Sequence, residues 1–387
     1  MRFFLVAGEP SGDRLGAALM AGLKTLAPGV TFSGVAGPLM QAEGMESLFP
    51  MEELSVMGIA EIVPKYRHLK RRIRETAEAV LASGADALIT IDSPDFCLRA
   101  ARIVKSARPD LRIIHYVAPS VWAWRPGRAA KMARVIDHVL AILPFEPPYM
   151  TAAGMSCDFV GHPVAAEPPA SEAERAAFAG DGPLLLALPG SRRGEVARLA
   201  PVIGQTLALL KPFHPGLRVA LPTLRGVADL VRGLSADWPV RPDIITDPGR
   251  KRGAFAAATA ALAASGTVSL ELAANACPMV IAYRLHPVSF WLMRRAALVD
   301  TVTLVNLVSE TRAVPEFLGP ACRADRIAPA LDALMTPGPA REAQRAAMAL
   351  TMRCLGQGGE NPGLRAARSV LSALAPTQTA RSNLVER

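Results

Sequence analysis

Asp92 is the residue of this chain best placed to move a proton. It follows the apolar run 87–91 and opens the stretch Asp92-Ser93-Pro94-Asp95, ahead of a helical pattern. That order predicts a carboxylate at the C-terminal edge of a parallel strand, where open α/β sheets present ligands and catalytic groups. A carboxylate there can accept the proton of an attacking hydroxyl. Asp95, just before Phe96, fits a helix cap instead. A different chemistry belongs to Gly190, Ser191 and Arg192, which sit with Arg193 at the head of another helical pattern. Backbone N–H groups, a helix dipole and a guanidinium together suit a diphosphate. Ser265, Gly266 and Thr267 form a second small-residue turn, and Glu271 lies about one helical turn on, placed to accept both hydroxyls of a ribose.

The stretch 8–13, Gly8-Glu9-Pro10-Ser11-Gly12-Asp13, also follows an apolar run. Its glycines allow a tight turn and close approach to a ligand. Glu9 and Asp13 would repel an anion, so sugar hydroxyls are the better partner; the plain alternative is a capped turn. Residues 116–125 hold two of the four tryptophans, Trp122 and Trp124. Such a pair is usually core, but Pro119 and Arg125 bracket it, which suits a ligand-side loop contributing Trp122 and Arg125. His115, His138 and His162 lack metal-ligand spacing, and no HxxxH or DxD pattern is present, so no metal and no cofactor is expected.

Two segments have the character of a membrane surface contact. Residues 65–74 pack six Lys/Arg into ten positions, among them Lys65, Lys70, Arg71 and Arg72. Residues 288–295 set Phe290 and Trp291 beside Arg294 and Arg295. Basic charge next to exposed apolar side chains holds a peripheral protein on an anionic bilayer. The alternatives are a solvated basic helix face and an ordinary core helix.

These groups need a scaffold, and the pattern supplies one. Strand-like runs at 2–7, 31–35, 87–91, 113–117, 138–142 and 158–160 alternate with helical stretches. After a proline-rich segment at 163–179 the rhythm resumes, with strands at 184–188, 218–221, 240–245, 260–263 and 279–283. Alternation of this kind predicts α/β architecture with parallel sheets covered on both faces. The 387 residues accommodate two domains, with boundaries expected at 1–165 and 166–345 and a helical tail over 346–387 that is free to return to the first domain. The run 254–264 is too short to span a membrane and reads as a buried helix. Five scattered cysteines without C-x-x-C spacing favour a reducing compartment, and the start of the chain shows no signal-peptide pattern. The net charge of +9 fits nucleic acid, anionic lipid or phosphorylated substrates equally. Neither glycine turn completes the GxGxxG dinucleotide fingerprint, which argues against a dehydrogenase.

The motifs in this order resemble the lipid-A-disaccharide synthase family of GT-B glycosyltransferases. The matching stretches include AGEPSGD (7–13), LSVMGIAEI (54–62), IDSPDF (91–96), YVAPSVWAWR (116–125), LPGSRRGE (188–195) and SGTVSLE (265–271). Ala118 departs from the family's frequent serine, and Gly319 from its usual glutamine. The resemblance implies two Rossmann-like doubly wound domains facing across a cleft, the first binding the acceptor and meeting the membrane, the second binding the UDP-sugar. It implies an inverting transfer from UDP-2,3-diacylglucosamine to the 6-hydroxyl of 2,3-diacylglucosamine 1-phosphate, giving the β-1,6 disaccharide 1-phosphate and UDP. Asp92 would be the base, and Tyr283, Asn306 and Glu316 would lie near the nucleotide. The enzyme would be cytoplasmic and peripheral on the anionic inner-membrane surface, with no nucleic-acid partner and with a homodimer left open. A UDP-GlcNAc epimerase of the same build would share the second-half site without a membrane patch. A basic nucleic-acid-binding protein would explain only the charge.

Overall fold

The continuous apolar runs become the inner strands of two parallel sheets. A computed structural model describes residues 1–54 and 59–375, and of residues 59–66 and 287–289 the backbone alone. The first sheet holds β1 (Arg2–Ala7), β2 (Thr31–Val35), β3 (Ala87–Ile91), β4 (Arg112–Tyr116), β5 (His138–Ala141) and β6 (Ser156–Phe159), in the order β2-β1-β3-β4-β5-β6. The second holds β7 (Leu184–Leu188), β8 (Arg218–Pro222), β9 (Pro242–Ile245), β10 (Ala260–Ala263), β11 (Met279–Tyr283) and β12 (Glu316–Leu318), in the order β12-β11-β10-β7-β8-β9. Every residue of β3, β7 and β10 is buried, because helices cover both faces of a parallel sheet. Each sheet reverses its winding once, between β1 and β3 and between β7 and β10. Doubly wound sheets hold ligands at the strand C-termini beside that reversal. The loops there are the ones that carry Gly8, Asp92, Gly190 and Ser265.

The chain forms two units, Met1–Ala166 with the segment from Gly358 onward, and Glu167–Gln357. In the first, helix Pro10–Leu26 starts with proline at a position whose N–H has no helical partner anyway. It buries Leu15, Leu19, Met20 and Leu23, at about 1.5–3 kcal/mol for each large side chain. Helix Pro362–Leu374 packs on it. A Cβ on Gly22 would lie 2.5 Å from the Gly363 carbonyl oxygen, and one on Gly363 would lie 2.5 Å from that of Ala18, so two glycines allow the backbones to touch.

Several expectations change. The tail is divided: helix Pro339–Cys354 packs within the second unit, and the chain turns at Gly356 and Gly358, both at positive φ, before Pro362–Leu374 joins the first. The run 254–264 is no single helix, since helix Pro248–Ala257 ends and β10 follows. Segment 163–179 contains helix Glu172–Ala176, fixed by a capping box between Ser171 and Glu174. Among the described residues no helix is long and apolar enough to cross a membrane.

Candidate active site

The first unit holds Asp92 in a strained loop. Asp92, Ser93 and Val117 have φ of 52°, 43° and 82°. A β-branched residue in the left-handed region is an outlier that persists only where its surroundings enforce it. The Asp92 N–H donates to the Tyr116 carbonyl at 2.9 Å, which ties the β3 loop to β4. A Cβ on Gly8 would lie 2.5 Å from Ser93 Oγ, so glycine is what lets the β1 and β3 loops meet. Gly12 brings its helix against β3, 3.4 Å from the Ile91 carbonyl oxygen at the Cβ position. Asp92 lines a cavity of about 260 Å³ with His115, Ala118, Ser120, Trp124 and Arg128. Burial pushes the Asp92 carboxyl above its ordinary value, against a hydrogen bond from the Ser93 N–H that lowers it. His115 is buried beside Thr90 Oγ1 at 2.7 Å, and burial lowers it to about 4, so it stays neutral in the physiological range.

Other residues of this unit turn out to be braces. Asp13 is 2% exposed and accepts from the N–H groups of Leu39 and Met40, both at 2.9 Å, so it caps helix Pro38–Ala42. Trp122 points inward: its Nε1–H donates to Glu146 at 3.3 Å and its ring meets Phe145 edge-on. Trp124 and Arg128 line the cavity instead, and Arg125, at φ 53°, stacks on Trp124 at 4.2 Å. Burial pushes Glu146 up to about 7. Ser11 is exposed at the helix start, and Glu9 lines a separate groove with Ser93 and Asp95.

In the second unit, a cavity of about 260 Å³ at the β7/β10 reversal gathers Gly190, Ser191, Ser265, Gly266, Thr267 and Glu271. Gly190 has φ 112°, and a Cβ there would lie 2.7 Å from Glu195 Oε2. Glu195 folds the loop over itself by accepting from the N–H groups of Ser191 and Arg192, both at 3.3 Å, and from Arg192 Nη1 at 3.0 Å. Those two backbone donors therefore serve the carboxylate. In the opposite loop the N–H groups of Gly266 and Thr267 make no backbone hydrogen bond among the described residues. Gly266 has φ 156°, a conformation that favours glycine, although a Cβ there would meet nothing within 4 Å; the glycine thus serves the turn and leaves the backbone bare. Three lining residues escaped the sequence reading. Lys251 Nζ lies 2.5 Å from Glu271 Oε2 and 5.2 Å from the Phe255 ring centroid, and Thr223 has a buried hydroxyl with no hydrogen-bond partner. Thr223 follows β8, so the strand-edge rule that singled out Asp92 points to it as well.

Tyr283, Asn306 and Glu316 do not line this cavity. Tyr283 donates to Glu195 Oε1 at 3.3 Å. Asn306 is 1% exposed and bonds Thr301 Oγ1 and both backbone groups of Val314. Glu316 accepts from the Thr301 hydroxyl and from the N–H groups of Val302 and Thr303. The Val302 carbonyl in turn accepts from Ser265 Oγ at 3.2 Å, so Glu316 and Asn306 act on the site through the 301–303 loop. All three side chains are thus engaged by other groups of the protein next to the loop that carries Ser265. Gly319 has φ 55°, and the Phe290 ring stands 2.6 Å from its Cβ position, which leaves no room for a side chain such as glutamine.

The membrane-facing residues divide likewise. Arg72 is half-buried, pairs with Glu53 and Glu75, both at 2.7 Å, and lies over the Phe49 ring, while the half-buried Phe290 ring packs on the Gly319 turn. Lys70 and Arg71 are exposed, and the Lys65 side chain lies outside the described residues. Trp291, Leu292, Met293 and Leu298 are 53–58% exposed, beside Arg294 and Arg295.

Two doubly wound units with ligand loops at their reversals define a protein of the GT-B fold. Solved structures agree: UDP-GlcNAc 2-epimerase of Neisseria meningitidis, solved with UDP-GlcNAc, has a TM-score of 0.64 at 11% identity, over 97% of this chain and 99% of that one. The calicheamicin glycosyltransferase CalG4 has a TM-score of 0.59 at 17% identity, over 97% and 99%. The family model for lipid-A-disaccharide synthetase matches residues 3–361. The chain is 61% identical over 387 residues to the lipid-A-disaccharide synthase of Ruegeria pomeroyi, with 97% of this chain and 96% of the relative covered. It is 48% identical over 377 residues to that of Rhodospirillum centenum, with 96% and 94% covered. The chain belongs to the lipid-A-disaccharide synthase family, and is a UDP-sugar-dependent glycosyltransferase of lipid A disaccharide formation.

Proposed function

We propose that the second unit holds UDP-2,3-diacylglucosamine by its nucleotide, and that Asp92 in the first deprotonates the 6-hydroxyl of 2,3-diacylglucosamine 1-phosphate. The acceptor oxygen attacks the anomeric carbon of the donor as the bond to the β-phosphate breaks. The bonding electrons leave with UDP, the proton goes to Asp92, and the α-linked donor gives a β-1,6 product. The N–H groups of Gly266 and Thr267 would stabilise the charge that develops on the departing diphosphate, and the Arg192 guanidinium, held by Glu195 beside the cavity, would add to them once released from that pair. Preorganised donors of this kind stabilise such charge without rearranging at the moment of reaction. Glu271, oriented by Lys251, takes the ribose, and the unpartnered Thr223 hydroxyl is available to the base.

The observation that carries this reading is the convergence of both small-residue loops and Glu271 on one cavity at the sheet reversal of a chain in this family. The exposed apolar cluster at residues 291–298, flanked by Arg294 and Arg295, supports contact with an anionic cytoplasmic membrane surface, where both lipid substrates reside. The test is turnover of the purified protein in detergent with a chelator, followed by mass spectrometry. Disaccharide 1-phosphate and UDP in equal amounts are expected. UDP binding without disaccharide would sink the acceptor assignment.

A further inference from the structure

A second concave surface of the first unit begins at the residues that follow Asp92. The groove has a volume of about 690 Å³ and lies between helices Ile59–Ala82 and Pro94–Ala107. Leu69, Ile73 and Phe96 form an apolar floor, and Ile73 and Phe96 are each only 8% exposed. Ile103 continues it outward at 40% exposure. One wall carries Lys70 and Arg74, the other Arg99 and Arg102. Among the described residues none of these four cations has an ion-pair partner, whereas Arg72 on the same helix pairs with two glutamates. Glu9 and Asp95 also line the groove, at the end next to Ser93 and Pro94. Four cations against two carboxylates leave the groove positive, with the negative charge confined to the Asp92 end.

We propose that this groove binds the acceptor, with Arg99 and Arg102 holding its phosphate and the apolar floor taking an acyl chain. The inference rests on the reading of Asp92 as the base. Asp95, Arg99 and Arg102 are spaced to share one helix face. At 1.5 Å per residue the two arginines stand about 6 and 10 Å beyond Asp95 along the axis. A sugar whose 6-hydroxyl reaches Asp92 offers its other hydroxyls to Glu9 and Asp95, and its 1-phosphate lies within one ring of the attacking oxygen. Guanidinium groups bind phosphate oxygens in pairs, which a carboxylate-lined end would repel. A bilayer headgroup is the competing occupant of these cations. The groove favours the single lipid, because its apolar groups line a concave floor and do not project.

The test compares a short-chain, water-soluble acceptor bearing the 1-phosphate with its phosphate-free counterpart, by calorimetry and by turnover. The variants are Arg99→Gln/Arg102→Gln and the control Arg134→Gln, an exposed arginine of the same unit that does not line the groove. The native protein should bind the phosphorylated acceptor about 10- to 100-fold tighter than the counterpart, the range of a charged hydrogen-bond pair. The double variant should lose that preference by a raised acceptor KM, with donor KM and melting temperature kept, and the control should keep it. Should the double variant unfold, Arg99→Lys and Arg102→Lys singly should each keep part of the preference. Persistence of the preference in folded double variant overturns the proposal. So does a loss seen only with acceptor in phosphatidylglycerol vesicles and absent in micelles, which would assign the arginines to the bilayer. Because binding is measured without turnover, failure of Asp92 as base would show as active Asp92→Asn with the arginine effect intact.

Discussion

Replacing Asp92 by asparagine separates its chemistry from its contribution to the fold. The amide matches the carboxylate in shape and keeps an oxygen for the Ser93 N–H, so the loop geometry should survive. A positioned general base contributes roughly 10²- to 10⁴-fold, about 2.7–5.5 kcal/mol of barrier at 1.36 kcal/mol per decade. Turnover should fall by that factor while UDP affinity, which the proposed site assigns to the other unit, stays the same. Stability should move the other way. Burial holds the Asp92 carboxyl above its ordinary value, so the native state binds the proton more tightly than the unfolded chain. The native protein therefore loses stability as pH rises from the unfolded value through the raised native one. Asparagine cannot ionise, so its melting temperature at pH 8 should equal or exceed that of the native protein, and the advantage should vanish in acid. The acid limb of kcat/KM should also lie above the usual carboxylate range. The assay is UDP release with both substrates, run beside thermal denaturation at pH 5 and 8. Residual turnover above about one hundredth of native would refute the assignment, since it falls outside the range of a general base.

Three further outcomes follow from the braces and loops. Gly266→Ala should weaken UDP binding about tenfold, by standing a methyl toward the diphosphate; at φ 156° alanine also strains the backbone, so some loss of melting temperature is expected, and that loss with unchanged affinity would contradict the role given to the bare backbone. Gly319→Gln places a side chain at φ 55° and into the Phe290 ring, at a cost of about 1–2 kcal/mol for the backbone alone. Thermal denaturation should show the loss, and Phe290→Ala should recover part of it; no recovery would mean that the ring is not the obstacle. Glu146, raised from 4.5 to about 7 by burial, should make the native protein lose stability between about pH 5 and 8. The loss is at most about 3 kcal/mol at roughly 1.4 kcal/mol per unit, and Glu146→Gln should flatten it. Parallel melting curves for the two proteins would place the pH dependence elsewhere.

What could be read from the chain alone depended on the range of the interaction. The inner strands β1, β3, β7, β10 and β11 announce themselves as unbroken apolar runs ended by turn residues, because both their faces are covered. β12 escaped: three half-buried residues at a sheet edge leave no such run. The loops at the sheet reversals were legible because their chemistry is local, as in Gly190-Ser191 and Ser265-Gly266-Thr267. The backbone partners of Asp13, Asn306 and Glu316 were not legible, because they lie outside any local pattern and a polar side chain looks the same whether it meets a ligand or a loop. Trp122 and Trp124 are two residues apart in a loop without periodicity, so only packing decides that Trp124 faces the cavity and Trp122 faces Glu146.

The seating of helix Pro362–Leu374 on helix Pro10–Leu26 also orders events on the ribosome. The first unit leaves its chain at Ala166 and recovers its last helix only from Gly358, after the 191 residues of the second unit have been made. At roughly 5–20 residues per second that interval is about 10–40 s. Throughout it the surface that Gly22 presents to Gly363 lacks its cover, while the second unit is contiguous and can close as soon as it emerges. The half of the enzyme translated first is thus the half completed last, and a nascent chain arrested before Gly358 would carry a finished second unit and a first unit still waiting for its final helix.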